Sequence, residues 1–202
     1  IRDRGQAGTE IRQSQNTNVN IIQLNPKRIE DLALRRAILA SVDREQIAKA
    51  YFSQLGWTEP LPGSIIAMPF QKGYQNNYAG DIGAQAAGKI LEAAGYSKSG
   101  DYYAKNGKVA GFALTSFGSE AVYQAVYQIL EQQLKSAGIR LSADNQPQSN
   151  SNSVLGQKSY EAIFTGWGVL ADLASSAQAS RVSPAAAGPV YRGCWHCMPG
   201  AE

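Results

Sequence analysis

Residues 18–52 read NVNIIQLNPKRIEDLALRRAILASVDREQIAKAYF, and this stretch decides the fold class. Its first part, residues 19–24, is an apolar, β-rich run that ends at an Asn-Pro turn signal. From Asp31 onward the apolar residues recur at helical spacing, which predicts a helix. A second helix is predicted after Asp43, whose carboxylate can accept from the next turn's N–H groups while Gln46 reaches back as in a capping box. A strand followed by helices is typical of an α/β layer fold.

The rest of the chain continues this alternation of helices and strands. Asn106-Gly107 is the favoured turn pair of a β-hairpin, and Gly95 and Gly138 are predicted to stop the helices that precede them. After residue 52 the sequence predicts an irregular segment (53–80), a helix capped by Asp81 with Ile82 inward, a hairpin (101–117) and a long helix (120–137). A strand from Ile139, a polar low-complexity stretch (144–152), a short helix at Val154 and Leu155, and a strand (160–165) follow.

Composition places the chain among ordinary globular proteins. With 202 residues, 44% hydrophobic and 17% charged, it is long enough to bury a core. The net charge of +3 is scattered, so no basic stripe predicts a nucleic-acid partner. The sequence has no run of about 18 apolar residues that would predict a membrane span. Residues 1–17 are polar and lack the apolar core of a signal peptide, so an exported protein would have lost its signal.

Four segments, in order, resemble the C-terminal lobe of the peptide/nickel-type (family 5) extracellular solute-binding proteins of ABC importers. The first is Leu24-Asn25 followed by Leu34-Arg35-Arg36-Ala37-Ile38 and by Asp43-Arg44 with Ile47. The others are Leu91-Glu92-Ala93-Ala94-Gly95-Tyr96; Ala113-Leu114-Thr115 with Leu134-Lys135-Ser136-Ala137-Gly138-Ile139; and Tyr160-Glu161-Ala162 with Gly166-Trp167. Each segment alone is a weak signal, and their order and spacing over residues 18–168 carry the resemblance.

The resemblance implies one lobe of a periplasmic-binding-protein-like type II fold, with a mixed sheet flanked by helices. It divides the chain into a polar N-terminal segment (1–17), the partial C-terminal lobe (18–182) and an irregular or non-native tail (183–202). It implies a non-enzymatic protein that traps a peptide-like solute between this lobe and an N-terminal lobe absent here, and then docks on an ABC permease. The implied location is extracytoplasmic, with a lipid anchor in the parent chain.

The resemblance also implies where the solute binds. Trp167 and Gly168 stand where the family has a wall residue of the cleft, and Asp172 is the nearest acid to the position that pairs with a peptide α-amine. Phe117 and Ser119 flank a strand-to-helix junction whose N–H groups could meet an anionic ligand end. The structural alternatives are a packed strand-end tryptophan, a helix-capping or solvated aspartate, and a plain helix start.

Two other functions are compatible with the sequence. A family member that no longer transports could serve as a cell-envelope scaffold or regulatory lipoprotein. Alternatively, Cys194 and Cys197 form a CxxC that could belong to a thiol oxidoreductase. Such a site is expected after a strand and at the start of a helix, and the flanking Pro189, Gly193 and Pro199-Gly200 do not predict that context. With a single histidine and no second CxxC, we expect no metal, and no motif predicts a cofactor.

Overall fold

A computed structural model describes residues 18–52, 60–76, 80–117 and 121–169. The elements, in chain order, are β1 (Asn18–Leu24), α1 (Leu32–Ala40), α2 (Arg44–Tyr51), α3 (Ala84–Ala93), β2 (Ser97–Ser99), β3 (Tyr102–Lys105), β4 (Lys108–Val109), β5 (Gly111–Phe117), α4 (Ala121–Ser136), β6 (Arg140–Gln146), a 3-10 turn (Gln148–Asn150), α5 (Ser151–Gln157) and β7 (Ala162–Gly168).

The main sheet has four strands in the order β1-β7-β5-β6. Strand β5 runs parallel to both β6 and β7, whereas β1 pairs antiparallel with β7. The carboxyl ends of β5, β6 and β7 therefore meet at one edge of the sheet. The predicted α/β class and mixed sheet are confirmed, and a second, three-stranded sheet (β2-β3-β4) stands beside the main one.

The predicted cap of α2 is confirmed, but its capping box is wrong. The Asp43 carboxylate accepts from the N–H groups of Glu45 (3.0 Å) and Gln46 (3.2 Å). The N–H of Asp43 donates to Gln133 Oε1 of α4 (3.1 Å), not to Gln46. Gln133 Nε2 in turn donates to Gln46 Oε1 (2.6 Å). A side chain distant in sequence therefore completes the cap and ties α2 to α4.

Helix α3 begins later than the sequence predicts. Its N-cap is Gly83, with no side-chain cap, so Asp81 does not cap it. The Gly83 N–H donates to the carbonyl of Ala40 at 2.7 Å, which ties the start of α3 to the end of α1. Ile82 is 49% exposed rather than inward, because it precedes the helix.

The predicted hairpin is correct at its turn and wrong at its second strand. Asn106 and Gly107 both have positive φ, as the turn requires. The second predicted strand is two strands, separated at Ala110. Strand β4 belongs to the small sheet, and β5 belongs to the main sheet. The first residues of the polar stretch, from Asp144, belong to β6 as far as Gln146, because parallel pairing with β5 continues to Phe117–Gln146.

A hydrophobic core cluster draws buried residues from strands β1, β3, β5, β6 and β7 and from helices α1–α4. The irregular segment over residues 60–76 adds Ile65 and Met68. Asn25, only 6% exposed, is a polar member of this interior. Its Nδ2 donates to the carbonyls of Lys158 and Tyr160, both at 2.9 Å, and so joins the end of β1 to the approach of β7.

Candidate functional site

A cavity of about 340 Å³ lies at the edge of the main sheet where β5, β6 and β7 end. This volume is at the lower end of the range for small-molecule sites, about 300–1,000 Å³. In an open α/β sheet, the carboxyl edge of parallel strands is the usual place for a ligand. The lining residues are Leu114, Ser116 and Phe117 of β5; Ala143 and Asn145 of β6; residues 163–166 of β7; Tyr123, Gln124, Val126 and Tyr127 of α4; and Gln148, Ser151 and Leu155.

Aromatic rings form one wall of the cavity. Tyr123 of α4 meets Phe164 of β7 edge to face, with ring centroids 5.7 Å apart. Tyr51 of α2 supports Phe164 from another direction at 6.2 Å. Tyr127, one turn after Tyr123, lines the cavity and also packs against the core. Because several elements hold these rings, the wall is a preformed surface.

Neutral polar side chains supply the rest of the lining. Ser116 Oγ donates to Asn145 Oδ1 across β5 and β6 at 2.8 Å. Gln124, Gln148 and Ser151 contribute further amide and hydroxyl groups. Such groups can both donate and accept hydrogen bonds.

No Asp, Glu, Lys, Arg or His occurs among the described residues that line the cavity. Asp144 lies between two lining residues of β6, but side chains alternate along a strand, so it faces the other side of the sheet. There it accepts from Thr115 Oγ1 (2.7 Å) and from Gln146 Nε2 (2.6 Å). Burial, and secondarily the Glu131 carboxylate, raises the pKa of Tyr127 above its usual value.

The predicted site residues are only partly located by the structure. Phe117 lines the cavity. Gly168 is exposed at the end of β7, opposite Asn18, and does not line it. Trp167 pairs through its backbone with Val19, and its side chain lies outside the described residues, as do Ser119, Asp172, Cys194 and Cys197. The binding roles of Trp167, Gly168, Asp172, Phe117 and Ser119 stay predictions.

Sequence reasoning missed most of the cavity lining. Tyr123 and Tyr127 are spaced as neighbours on a helix, which indicates a packing pair more often than a ligand wall. Asn145 and Gln148 belong to a polar, low-complexity stretch with no periodic pattern. Only the register of β6 against β5 places Asn145 beside Ser116.

The described residues contain neither a candidate metal site nor a helix suited to span a membrane. Within the four described ranges, no group of three His, Cys, Asp or Glu side chains could hold a metal ion. Among the helices of those same ranges, none combines the length and apolar character that crossing a membrane requires.

Comparison with known proteins identifies relatives in sequence and fold. Residues 2–187 match the family described as "Bacterial extracellular solute-binding proteins, family 5 Middle". No curated protein matches the chain. Among solved structures, the oligopeptide-binding protein AppA of Bacillus subtilis, in complex with a nonapeptide, has a TM-score of 0.60 and 21% identity. The alignment covers 76% of this chain and 32% of AppA.

Two other solved structures show the same fold. NikA of Brucella suis, in complex with Fe(III)-EDTA, has a TM-score of 0.62 and 21% identity over 79% of this chain and 32% of its own. A periplasmic oligopeptide-binding protein of Thermotoga maritima, with bound mannohexaose, has a TM-score of 0.64 and 19% identity over 80% of this chain and 32% of its own. The chain thus spans about a third of the length of these structures.

Proposed function

Because the chain belongs to the family 5 bacterial extracellular solute-binding proteins, we propose that it is the C-terminal lobe of the solute-binding component of an ABC import system. The observation that carries this proposal is the aromatic and polar cavity at the carboxyl edge of β5, β6 and β7. The lobe holds one side of the solute, and a second lobe of the same protein closes over it. Its role is binding rather than catalysis.

We propose a peptide-like solute, an extracytoplasmic location and a lipid anchor in the full-length protein. Three solved relatives with this fold hold a nonapeptide, a metal chelate and an oligosaccharide, so the fold itself accepts varied solutes. Closure follows if the solute binds the closed arrangement of lobes more tightly than the open one. The closed form then docks on the ABC permease. In this proposal the lobe occupies residues 18–182.

A thermal-shift screen of the full-length protein against a peptide library tests this function. A solute that binds only the folded protein raises the melting temperature, and at a hundredfold excess over Kd it adds about 2.7 kcal/mol. We expect a subset of peptides to stabilise the protein. If no peptide does so, the screen is repeated with metal chelates and oligosaccharides. If these fail too, the transport proposal is wrong, and a scaffold role in the cell envelope takes its place.

A further inference from the structure

We propose that the cavity receives an uncharged, hydroxyl-bearing ring of the solute and discriminates against charged groups. This inference rests on the solute-binding function proposed above and adds the chemistry that this lobe recognises. A tyrosine side chain of a peptide and a sugar residue of an oligosaccharide both present such a ring. The experiment below separates these two sources.

The aromatic wall favours a ring as the occupant. Tyr123 and Phe164 contact each other edge to face at 5.7 Å, which leaves aromatic surface on a wall held by two elements. A flat or puckered ring can bury its apolar face against such a surface, and aromatic contacts of this kind contribute beyond their buried area. The cavity volume of about 340 Å³ is large enough to hold such a ring.

The polar lining favours hydroxyl groups on that ring. The Ser116–Asn145 hydrogen bond engages Asn145 Oδ1, while the Asn145 amide nitrogen is a donor. Gln148 and Ser151 lie on the segment that follows β6 and add groups that both donate and accept. A hydroxyl group of a ligand has this same dual capacity, so it can satisfy such a lining in several orientations.

The absence of charge among the described lining residues disfavours a charged ligand group. Removing an ionised group from water is costly unless an opposite charge or several oriented hydrogen bonds replace the lost hydration. The carboxylate of Asp144 is engaged on the other side of the sheet by Thr115 and Gln146.

Two matched ligand series test this inference on the 202-residue chain, with ligand-observed NMR to detect weak binding. The phenol series is N-acetyltyramine (neutral), tyramine (cationic) and para-hydroxyphenylacetate (anionic). The sugar series is methyl glucoside, glucosamine and glucuronate. We expect the neutral member of at least one series to bind about ten-fold more tightly than its charged counterparts. The series that binds identifies whether the ring is phenolic or sugar-like.

Variants locate the binding in the cavity. Ala143 lines the cavity on the exposed side of β6, so Ala143→Trp should fill it and abolish binding of the neutral ring. Ser153 of α5 is exposed and does not line the cavity, so Ser153→Trp is the matched control and should bind as the parent does. Asn145→Asp keeps the acceptor for Ser116 but adds a negative charge, and should make the cationic member the preferred ligand.

Three results would overturn the inference: equal binding of charged and neutral members, neutral binding that survives Ala143→Trp, or no binding by either series. If Ala143→Trp does not fold, as judged by circular dichroism, the reversal of charge preference in Asn145→Asp decides alone. If one of these results is found while other solutes stabilise the full-length protein, only the inference about the ring is contradicted. Absence of stabilisation by any solute contradicts the proposed function itself.

Discussion

At the scale of single residues, the hydrogen bonds of Asn25 explain why an asparagine follows the first strand. Its amide donates to the carbonyls of Lys158 and Tyr160, more than 130 positions away, and its Oδ1 accepts from the N–H of Lys27 at 3.1 Å. The Leu24-Asn25 pair therefore has a structural role. Through Asn25, this pair joins the segment that follows β1 to the segment that precedes β7.

Asn25→Ala should destabilise the chain by about 2–3 kcal/mol, because the buried bond to the Tyr160 carbonyl and the partly buried bond to the Lys158 carbonyl would both be lost. Urea unfolding measures this difference. Asn20→Ala is the control: Asn20 is exposed on the same strand, and a surface change of this kind costs about 0.5 kcal/mol or less. Equal losses in the two variants would show that the Asn25 bonds do not stabilise the fold.

Gly138 is a second residue whose identity the structure requires. Its φ is +73°, and a Cβ there would lie 2.7 Å from Tyr103 Cδ2. The Tyr103 ring occupies this place because its hydroxyl donates to Glu92 Oε1 at 2.7 Å and its N–H donates to the Gly138 carbonyl. Gly138 thus stops α4 and also leaves room for the small sheet.

Gly138→Ala should cost about 2–4 kcal/mol, the sum of a left-handed backbone penalty and overpacking against Tyr103. Gly156→Ala is the matched control, since nothing lies within 4 Å of a Cβ at that position of α5. That control should be neutral or gain about 0.5–1 kcal/mol from the better helix former. Thermal unfolding of both variants checks the contrast, and a neutral Gly138→Ala would contradict it.

At the scale of elements, Asp31 joins α1 to the small sheet. Its Oδ1 caps α1 through the N–H groups of Ala33 (2.8 Å) and Leu34 (3.3 Å). Its Oδ2 accepts from Tyr96 OH (2.9 Å) and contacts Lys105 Nζ (3.4 Å). Burial by itself would raise the pKa of Asp31, but the hydrogen bonds from Tyr96, Leu34, Ala33 and Lys105 outweigh it and hold the pKa below the usual value.

Asp31 should make the stability of this junction depend on acidic pH. Because its pKa is lowered by folding from 3.8, its contribution is present above that pH and is lost as the pH falls further. Asp31→Asn keeps a capping oxygen but removes the charge, and should cost about 1–2 kcal/mol at neutral pH. Urea unfolding as a function of pH should show parent and variant converging below pH 3.8. Parallel curves would contradict this assignment.

Tyr96 responds at the other end of the pH scale. Burial, followed by the hydrogen bond to Asp31 and its negative charge, raises the pKa of Tyr96 to about 12. Its contribution is complete below 10 and is lost as the pH rises through about 12. Tyr96→Phe should abolish that alkaline loss, which the same urea titration detects. A variant that loses as much stability as the parent over this alkaline range would contradict this role.

At the scale of the whole molecule, the chain presents one wall of the proposed binding site. It spans 32% of the AppA structure, and its cavity opens at one edge of a single sheet. We expect the isolated chain to bind solutes at millimolar Kd, because half of the proposed enclosing surface is missing. Isothermal titration of the chain and of the full-length protein with the same solute checks this expectation. Micromolar binding by the chain alone would contradict it.

The sequence by itself determined the local structure and the family. Helix stops at Gly95 and Gly138, the cap at Asp43 and the Asn106-Gly107 turn depend on backbone chemistry within a few residues, so local reading finds them. The apolar periodicity within residues 18–52 reflects burial of one helix face, and this pattern can also be recognised in the sequence. Together these signals carried the α/β class and the resemblance to the solute-binding family.

Only the tertiary structure decided the candidate site. Gln133 completes the cap of α2, β5 leaves the hairpin for the main sheet, and Asn145 joins Ser116, each through contacts between distant segments. Polar residues such as those after Asp144 show no apolar periodicity from which a strand could be predicted. Only their pairing with β5 shows that they belong to β6. The cavity exists because three parallel strands end together, and that coincidence is a property of the sheet's register rather than of any one segment.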